Sequence, residues 1–97
     1  MISKKIEIIN HEGLHGRPVN FFNACAGCFQ SCVWIQKDER RANAKSLMGT
    51  LSLSVTQGQE VTLIADGKDE QEAIEMLAKL INSGFNDQDL IDDIKSR

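Results

Sequence analysis

A histidine, an arginine and a proline stand together near the amino end of this chain, in the run Gly13-Leu14-His15-Gly16-Arg17-Pro18. Proline favours the first turn of a helix, because its missing N–H would have no intrahelical partner there. A helix start offers unpaired N–H groups and the positive end of the helix dipole, which attract anions. His15 could therefore carry a phosphoryl group whose oxygens pair with Arg17. The alternative is a structural histidine that happens to lie at a helix start.

Three cysteines form a second cluster. Cys25 and Cys28 are three positions apart on the predicted first helix, and Cys32 follows. Two thiolates on one helix face could bind a soft metal or form a redox pair. A structural zinc site needs four ligands, however, and His11 belongs to a separate loop. We therefore expect partly buried thiols, no metal and no cofactor, and the odd number excludes a complete set of internal disulfides.

Four strands are predicted to position these residues. Apolar residues alternate from 4 to 9, around Val33 and Ile35, and from Val61 to Ala65, and a weaker strand runs from 41 to 44. The polar turn 37–40 lies between the second and third strands.

Three helices are predicted between and after the strands. Apolar residues three and four apart indicate the first, from 17 to 29. Ser46 is placed to cap a short second helix. The third begins with a capping-box pattern at Asp69 and Glu72 and ends at Gly84, a residue that suits a left-handed stop.

The predicted order, β-α-β-β-α-β-α, is typical of an α+β layer, with a four-stranded, mostly antiparallel sheet and three helices on one face. Residues 1–85 are expected to form this domain, and residues 86–97 a polar, acidic tail. Leu90, Ile91 and Ile94 could give the tail a short helix, and disorder is the alternative.

Composition excludes several classes of function. The 97 residues suffice for one core, and 41% of them are apolar. A net charge of −3 argues against direct nucleic-acid binding, which needs a basic face. No apolar run is long enough to insert into a membrane, and the amino end lacks the apolar block of a signal peptide. We expect a cytoplasmic protein.

Four motifs stand out along the chain: Gly13-Leu14-His15-Gly16-Arg17-Pro18, Ala44-Lys45-Ser46-Leu47-Met48-Gly49, Gln57-Gly58 and Asp66-Gly67-Lys68-Asp69-Glu70. Together they resemble the histidine-containing phosphocarrier (HPr) family of the bacterial sugar phosphotransferase system. The resemblance runs in family order from about Lys4 to Gly84. The histidine and serine motifs are far more specific together than either is alone. The resemblance implies an open-faced β-sandwich, consistent with the element order.

The resemblance also implies a mechanism. His15 would accept a phosphoryl group on Nδ1 from phospho-enzyme I, which takes it from phosphoenolpyruvate. It would then pass the group to A-type domains of sugar permeases, so the protein would be a carrier rather than a stand-alone enzyme. Arg17 would pair with the phosphate and Gly16 would offer its backbone N–H.

Ser46 is a predicted regulatory site. In Gram-positive members of the family the equivalent serine is phosphorylated by an ATP-dependent kinase, HPr kinase/phosphorylase. A phosphate there would add a charge of about −1.5 to −2 near the docking face, opposing an acidic partner and favouring a basic one. The alternative is that Ser46 only caps its helix.

A partner-docking surface is predicted beside His15. A short helix cannot bury Leu47, Met48 and Leu51 on one face, so part of this apolar set should stay exposed. We assign Asn20 and Phe21 of the first helix to the same surface.

Several positions depart from the family pattern. Gly16 stands where members usually have alanine or threonine, which should loosen the first turn. Ala24 and Gly27 replace side chains that are basic or polar in many members. The loss of positive charge should slow the electrostatically steered docking to enzyme I. Glu39 replaces a turn glycine, and the segment after Gly84 is longer than usual.

Two functions from different classes are open. The first is the phosphoryl carrier. The second is a regulatory HPr-like binding module whose phosphorylated Ser46 recruits a catabolite-control repressor. A purely regulatory relative typically lacks the histidine, and its presence at position 15 favours the carrier. A third function, a cysteine-based redox or metal module, is less favoured than these two.

Overall fold

The computed structural model describes residues 1–97, which form four strands and four helices. In chain order they are β1 (Ile2–Glu7), α1 (Gly16–Gly27), β2 (Cys32–Lys37), β3 (Arg40–Asn43), α2 (Leu47–Leu51), β4 (Glu60–Asp66), α3 (Glu70–Asn82) and α4 (Gln88–Ser96). None of the helices combines the length and the apolar character needed to cross a membrane.

The four strands form one antiparallel sheet in the order β1-β4-β2-β3. Alternate residues point inward, and register pairs such as Ile6 with Val61 and Ile35 with Leu63 face the core. α3 packs against β1 and β4, α1 packs against α3, and both helices bury side chains in the same core. The predicted α+β open-faced sandwich is confirmed.

The β2–β3 hairpin has a two-residue loop, because Lys37 pairs with Arg40. Asp38 takes the left-handed conformation, with φ 55°. Aspartate tolerates this conformation better than most residues, because its short polar side chain can hydrogen-bond locally. Glu39, the second residue of the loop, has no positive φ and so needs no glycine at its position.

The predicted capping box at the start of α3 is wrong. Asp69 makes no side-chain cap to its own helix. Its carboxylate accepts hydrogen bonds from the backbone N–H groups of Gln30 and Ser31, both at 2.9 Å, and from the Ser31 hydroxyl. Glu70 instead reaches back to the Gly67 N–H at 3.1 Å. Asp69 thus joins the start of α3 to the loop before β2.

α3 ends as predicted, at a glycine in the left-handed conformation. Gly84 has φ +68°, and its N–H donates to the Ile81 carbonyl at 2.9 Å, while the Phe85 N–H donates to Leu80 at 3.0 Å. These two bonds form a Schellman motif, which turns the chain sharply.

The segment after this turn is helical rather than disordered. Asp87 caps α4 by accepting from the Leu90 N–H at 3.1 Å. Leu90, Ile91 and Ile94 are buried in the main core, and α4 packs against α1. The polar residues that dominate the composition of this segment lie on the outer face of α4.

Candidate functional site

The loop before α1 holds His15 in a defined place. The Asn10 side-chain amide donates to the Gly13 carbonyl at 2.9 Å, and the Leu14 N–H donates to Val55 at 3.1 Å. Leu14 is fully buried. At Gly13 a Cβ atom would lie 2.5 Å from the Val55 carbonyl oxygen, so only glycine fits this contact. The backbone one residue before the histidine is therefore anchored to the core.

His15 is the N-cap residue of α1. Its backbone is extended, with φ −134° and ψ 163°, and its side chain makes no capping hydrogen bond. The residue is half-buried. Since the first N–H groups of a helix have no intrahelical partner, they are available to an anion beside the imidazole.

Gly16 and Arg17 follow in the first turn, and both are exposed. Gly16 has φ +58°, a conformation that other residues adopt only at a cost, and open space surrounds the place of a Cβ atom. Its backbone is not helical, so the expectation that glycine loosens a helical first turn does not hold at this position. The Arg17 guanidinium lies 5.7 Å from the centre of the Phe21 ring and takes part in no ion pair with the protein. Its donors are thus free for phosphate oxygens.

Ser46 is the N-cap of α2. Its backbone is extended, and its hydroxyl oxygen accepts a hydrogen bond from the Gly49 N–H at 3.1 Å. The residue is half-buried. The capping role is therefore observed, and a phosphate at this position would keep an acceptor oxygen next to the same N–H.

Asn23 joins the two helices. From α1 it donates its side-chain amide to the Ala44 carbonyl at 2.6 Å and to the Thr50 hydroxyl at 3.2 Å. Both acceptors belong to buried residues. The structure thus packs the helix that follows His15 against the helix that follows Ser46.

The predicted docking residues lie on these two helices. Met48 is 79% exposed and Leu47 44% exposed, whereas Leu51 is half-buried. On α1, Asn20 is exposed and Phe21 is half-buried. An exposed apolar methionine on the short helix packed against α1 is the kind of anchor that protein interfaces favour.

The cysteines are free thiols in three environments. Cys25 is buried, Cys28 half-buried and Cys32 exposed. Burial raises the pKa of the Cys25 thiol to about 12 and also raises the pKa of Cys28. A thiol with a raised pKa forms little thiolate near neutral pH, so Cys25 lacks the reactivity of a redox cysteine.

Two residues of this region were not predicted. No sequence pattern indicated a role for Asn23 beyond a place on the polar side of α1, because its hydrogen-bond acceptors lie more than twenty residues away in sequence. Lys95 of α4 lies 5.7 Å from the centre of the same Phe21 ring that Arg17 contacts. Its place depends on how α4 packs, which local sequence does not encode.

Comparison with known proteins agrees with this geometry. The family described as "PTS HPr component phosphorylation site" matches residues 2–83. The chain is 48% identical to the HPr-like protein Crh of Bacillus subtilis over 81 residues, covering 84% of this chain and 95% of that protein. It is 44% identical over 87 residues to the phosphocarrier protein HPr of Neisseria meningitidis serogroup A, covering 90% and 98% of the two chains.

A solved structure is also similar. HPr from Thermoanaerobacter tengcongensis superposes with a TM-score of 0.88 at 48% identity, covering 90% of this chain and 98% of that one. The fold and the sequence agree, and the chain belongs to the HPr family. It is a phosphocarrier of the phosphotransferase system.

Proposed function

We propose that His15 is the phosphoryl acceptor of this carrier. The observation that carries the proposal is an imidazole without a capping bond at the start of α1, next to an arginine free of ion pairs. The Nδ1 lone pair attacks the phosphorus of phospho-enzyme I. An N–P bond forms on His15 as the bond to enzyme I breaks, and the group then leaves to an A-type permease domain.

The electrostatics of the site around His15 suits a phosphoryl group that is held loosely. At an exposed helix start the dipole contributes about 0.3–1 kcal/mol to a bound negative charge. The Gly16 N–H and the Arg17 guanidinium add hydrogen bonds without enclosing the phosphate, because both residues are exposed. Loose holding favours transfer to the next protein. We place this exchange in the cytoplasm, with docking through Met48, Leu47 and their neighbours.

The test is incubation with enzyme I and labelled phosphoenolpyruvate, followed by mass analysis of the acid-labile product. The proposal predicts one phosphoryl group, on His15, and none in His15→Ala. A label on His11 would contradict it.

Ser46 supports a second function, regulation by an ATP-dependent HPr kinase/phosphorylase. Two observations favour it: Ser46 caps the helix that bears the exposed Met48, and one relative of 48% identity is the HPr-like protein Crh. Phosphorylated Ser46 would present a dianion beside the docking surface and select a basic partner, such as a catabolite-control repressor. Incubation with the kinase and ATP, with Ser46→Ala as the control, tests this role.

A further inference from the structure

Arg17 lies over an aromatic ring one helical turn further along α1. Its guanidinium carbon is 5.7 Å from the centre of the Phe21 ring, and side chains four residues apart are neighbours on a helix surface. Glu12 lines the same surface groove, but its carboxylate accepts from the Asn10 amide at 3.3 Å, and Arg17 forms no ion pair. The ring is therefore the group that holds the guanidinium in the unphosphorylated protein.

The Phe21 ring itself has a fixed place. Phe21 is half-buried and packs against the main core. The ammonium group of Lys95, on α4, also lies 5.7 Å from the ring centre. α4 follows residue 83, where the family match ends, so this second cation comes from outside the matched region. Cations from two helices thus meet one anchored ring, as in a cation–π site.

Holding Arg17 in this way leaves its hydrogen-bonding capacity intact. A cation over a ring face forms no conventional hydrogen bond there, so the guanidinium keeps its N–H donors for phosphate oxygens. Ordering a long, flexible side chain on binding costs free energy, and a side chain that is already held loses less freedom. Arg17 should therefore pair more strongly with a phosphoryl group on His15 than an unrestrained arginine would.

We propose that Phe21 is a positioning residue of the phosphorylated site: its ring orders Arg17 so that the guanidinium pairs with the phosphoryl group on His15. The proposal rests on the proposed function of His15. Phe21 makes no contact with the phosphate in this role and acts only through Arg17. An exposed cation–π contact corresponds to about a two- to fivefold gain in this pairing.

The experiment uses a small-molecule donor, because Phe21 is also a predicted docking residue and a protein donor would mix the two roles. The phosphoryl group is exchanged with N-phosphoimidazole. Its N–P bond breaks and imidazole leaves as the N–P bond to His15 forms, so the equilibrium constant reports how well each protein stabilises the group. All proteins compared carry His11→Ala, which leaves His15 as the single histidine.

Two substitutions separate the ring from its packing. Phe21→Leu keeps an apolar side chain at the core, whereas Phe21→Tyr keeps the ring. The equilibrium constant is expected to fall about two- to fivefold in Phe21→Leu and to stay unchanged in Phe21→Tyr. Phe21→Leu should have no effect when added to Arg17→Ala, and its full effect when added to Lys95→Met. An unchanged constant in Phe21→Leu, a loss that is equal with and without Arg17, or a loss that disappears in Lys95→Met would overturn the proposal.

A measurement on the unphosphorylated protein separates this role from that of the acceptor. Nitrogen-15 relaxation of the Arg17 Nε–H group should give a lower order parameter in Phe21→Leu than in wild type or Phe21→Tyr. If enzyme I leaves His15 unlabelled while both this change and the shift in the exchange equilibrium are seen, the acceptor role fails and the positioning role stands. If the order parameter is the same in all three proteins, the ring does not hold Arg17 and the positioning role fails.

Discussion

Asn23 donates its side-chain amide to the Ala44 carbonyl at 2.6 Å, which ties the helix that follows His15 to the loop that carries Ser46. Asn23→Ala should lower the free energy of unfolding by about 1–3 kcal/mol, because it leaves the buried Ala44 and Thr50 acceptors without this donor. Urea denaturation measures the change. Asn20→Ala, at an exposed position on the same helix, is the control and should stay within about 0.5 kcal/mol of wild type. Equal losses in both variants would contradict the assigned role of Asn23.

Gly16 is expected to matter through its backbone. Its φ of +58° should make Gly16→Ala destabilising by about 1 kcal/mol, since a Cβ atom disfavours the left-handed region. Gly27, at the end of the same helix, is the matched control: it has open space around the Cβ position and no positive φ. Gly27→Ala should therefore stabilise the protein by about 0.4–1 kcal/mol. Thermal denaturation distinguishes the two, and a stabilising Gly16→Ala would show that the helix start adopts another conformation in solution.

Ser46 is expected to combine a cap with a switch. Ser46→Ala should cost about 1 kcal/mol of stability, because the Gly49 N–H loses its acceptor, whereas Ser46→Asp should retain the cap. Ser46→Asp should nevertheless slow phosphorylation of His15, since its added negative charge stands beside the docking surface. Rates are compared for wild type and both variants at physiological salt. Three equal rates would reject the switch and leave Ser46 as a cap alone.

The hydrogen bonds to the Asp69 carboxylate should make the stability of the protein fall at acid pH. Its hydrogen bond from Ser31, with those from backbone N–H groups, lowers the pKa of Asp69 from 3.8 to about 2. Because the pKa of Asp69 is lower in the folded protein than in the unfolded chain, its ionised carboxylate stabilises the fold. This stabilisation is fully present above the unfolded pKa and is lost as the pH falls from about 4 to about 2. Asp69→Asn should lose less stability across that interval, as measured by denaturation at each pH. Ser31→Ala should move the loss to higher pH. Identical slopes in all three proteins would contradict the assignment.

Local sequence predicts most of the elements that position His15. The alternation around Ile6 and Ile35 fixes which strand faces meet the core, and the spacing of Val19, Phe22 and Ala26 fixes the buried face of α1. These patterns are reliable because each depends on the period of its own element.

Contacts between distant residues escape such patterns. Asp69 and Glu72 have the spacing of a capping box, but the Asp69 carboxylate accepts instead from the N–H and hydroxyl of Ser31, 38 residues earlier. Leu90, Ile91 and Ile94 suggest a helix, yet whether it docks depends on the surface of α1. The contact of Lys95 with the Phe21 ring is the result of that docking, so no stretch of sequence predicts it alone.

Transfer from phospho-enzyme I to His15 tests the central claim most directly. The acid-labile phosphoryl group is located by mass analysis in wild type and His15→Ala, with His11→Ala as the matched control. The account predicts one phosphoryl group on His15 in wild type and in His11→Ala, and none in a folded His15→Ala. Undiminished labelling of His15→Ala would contradict it.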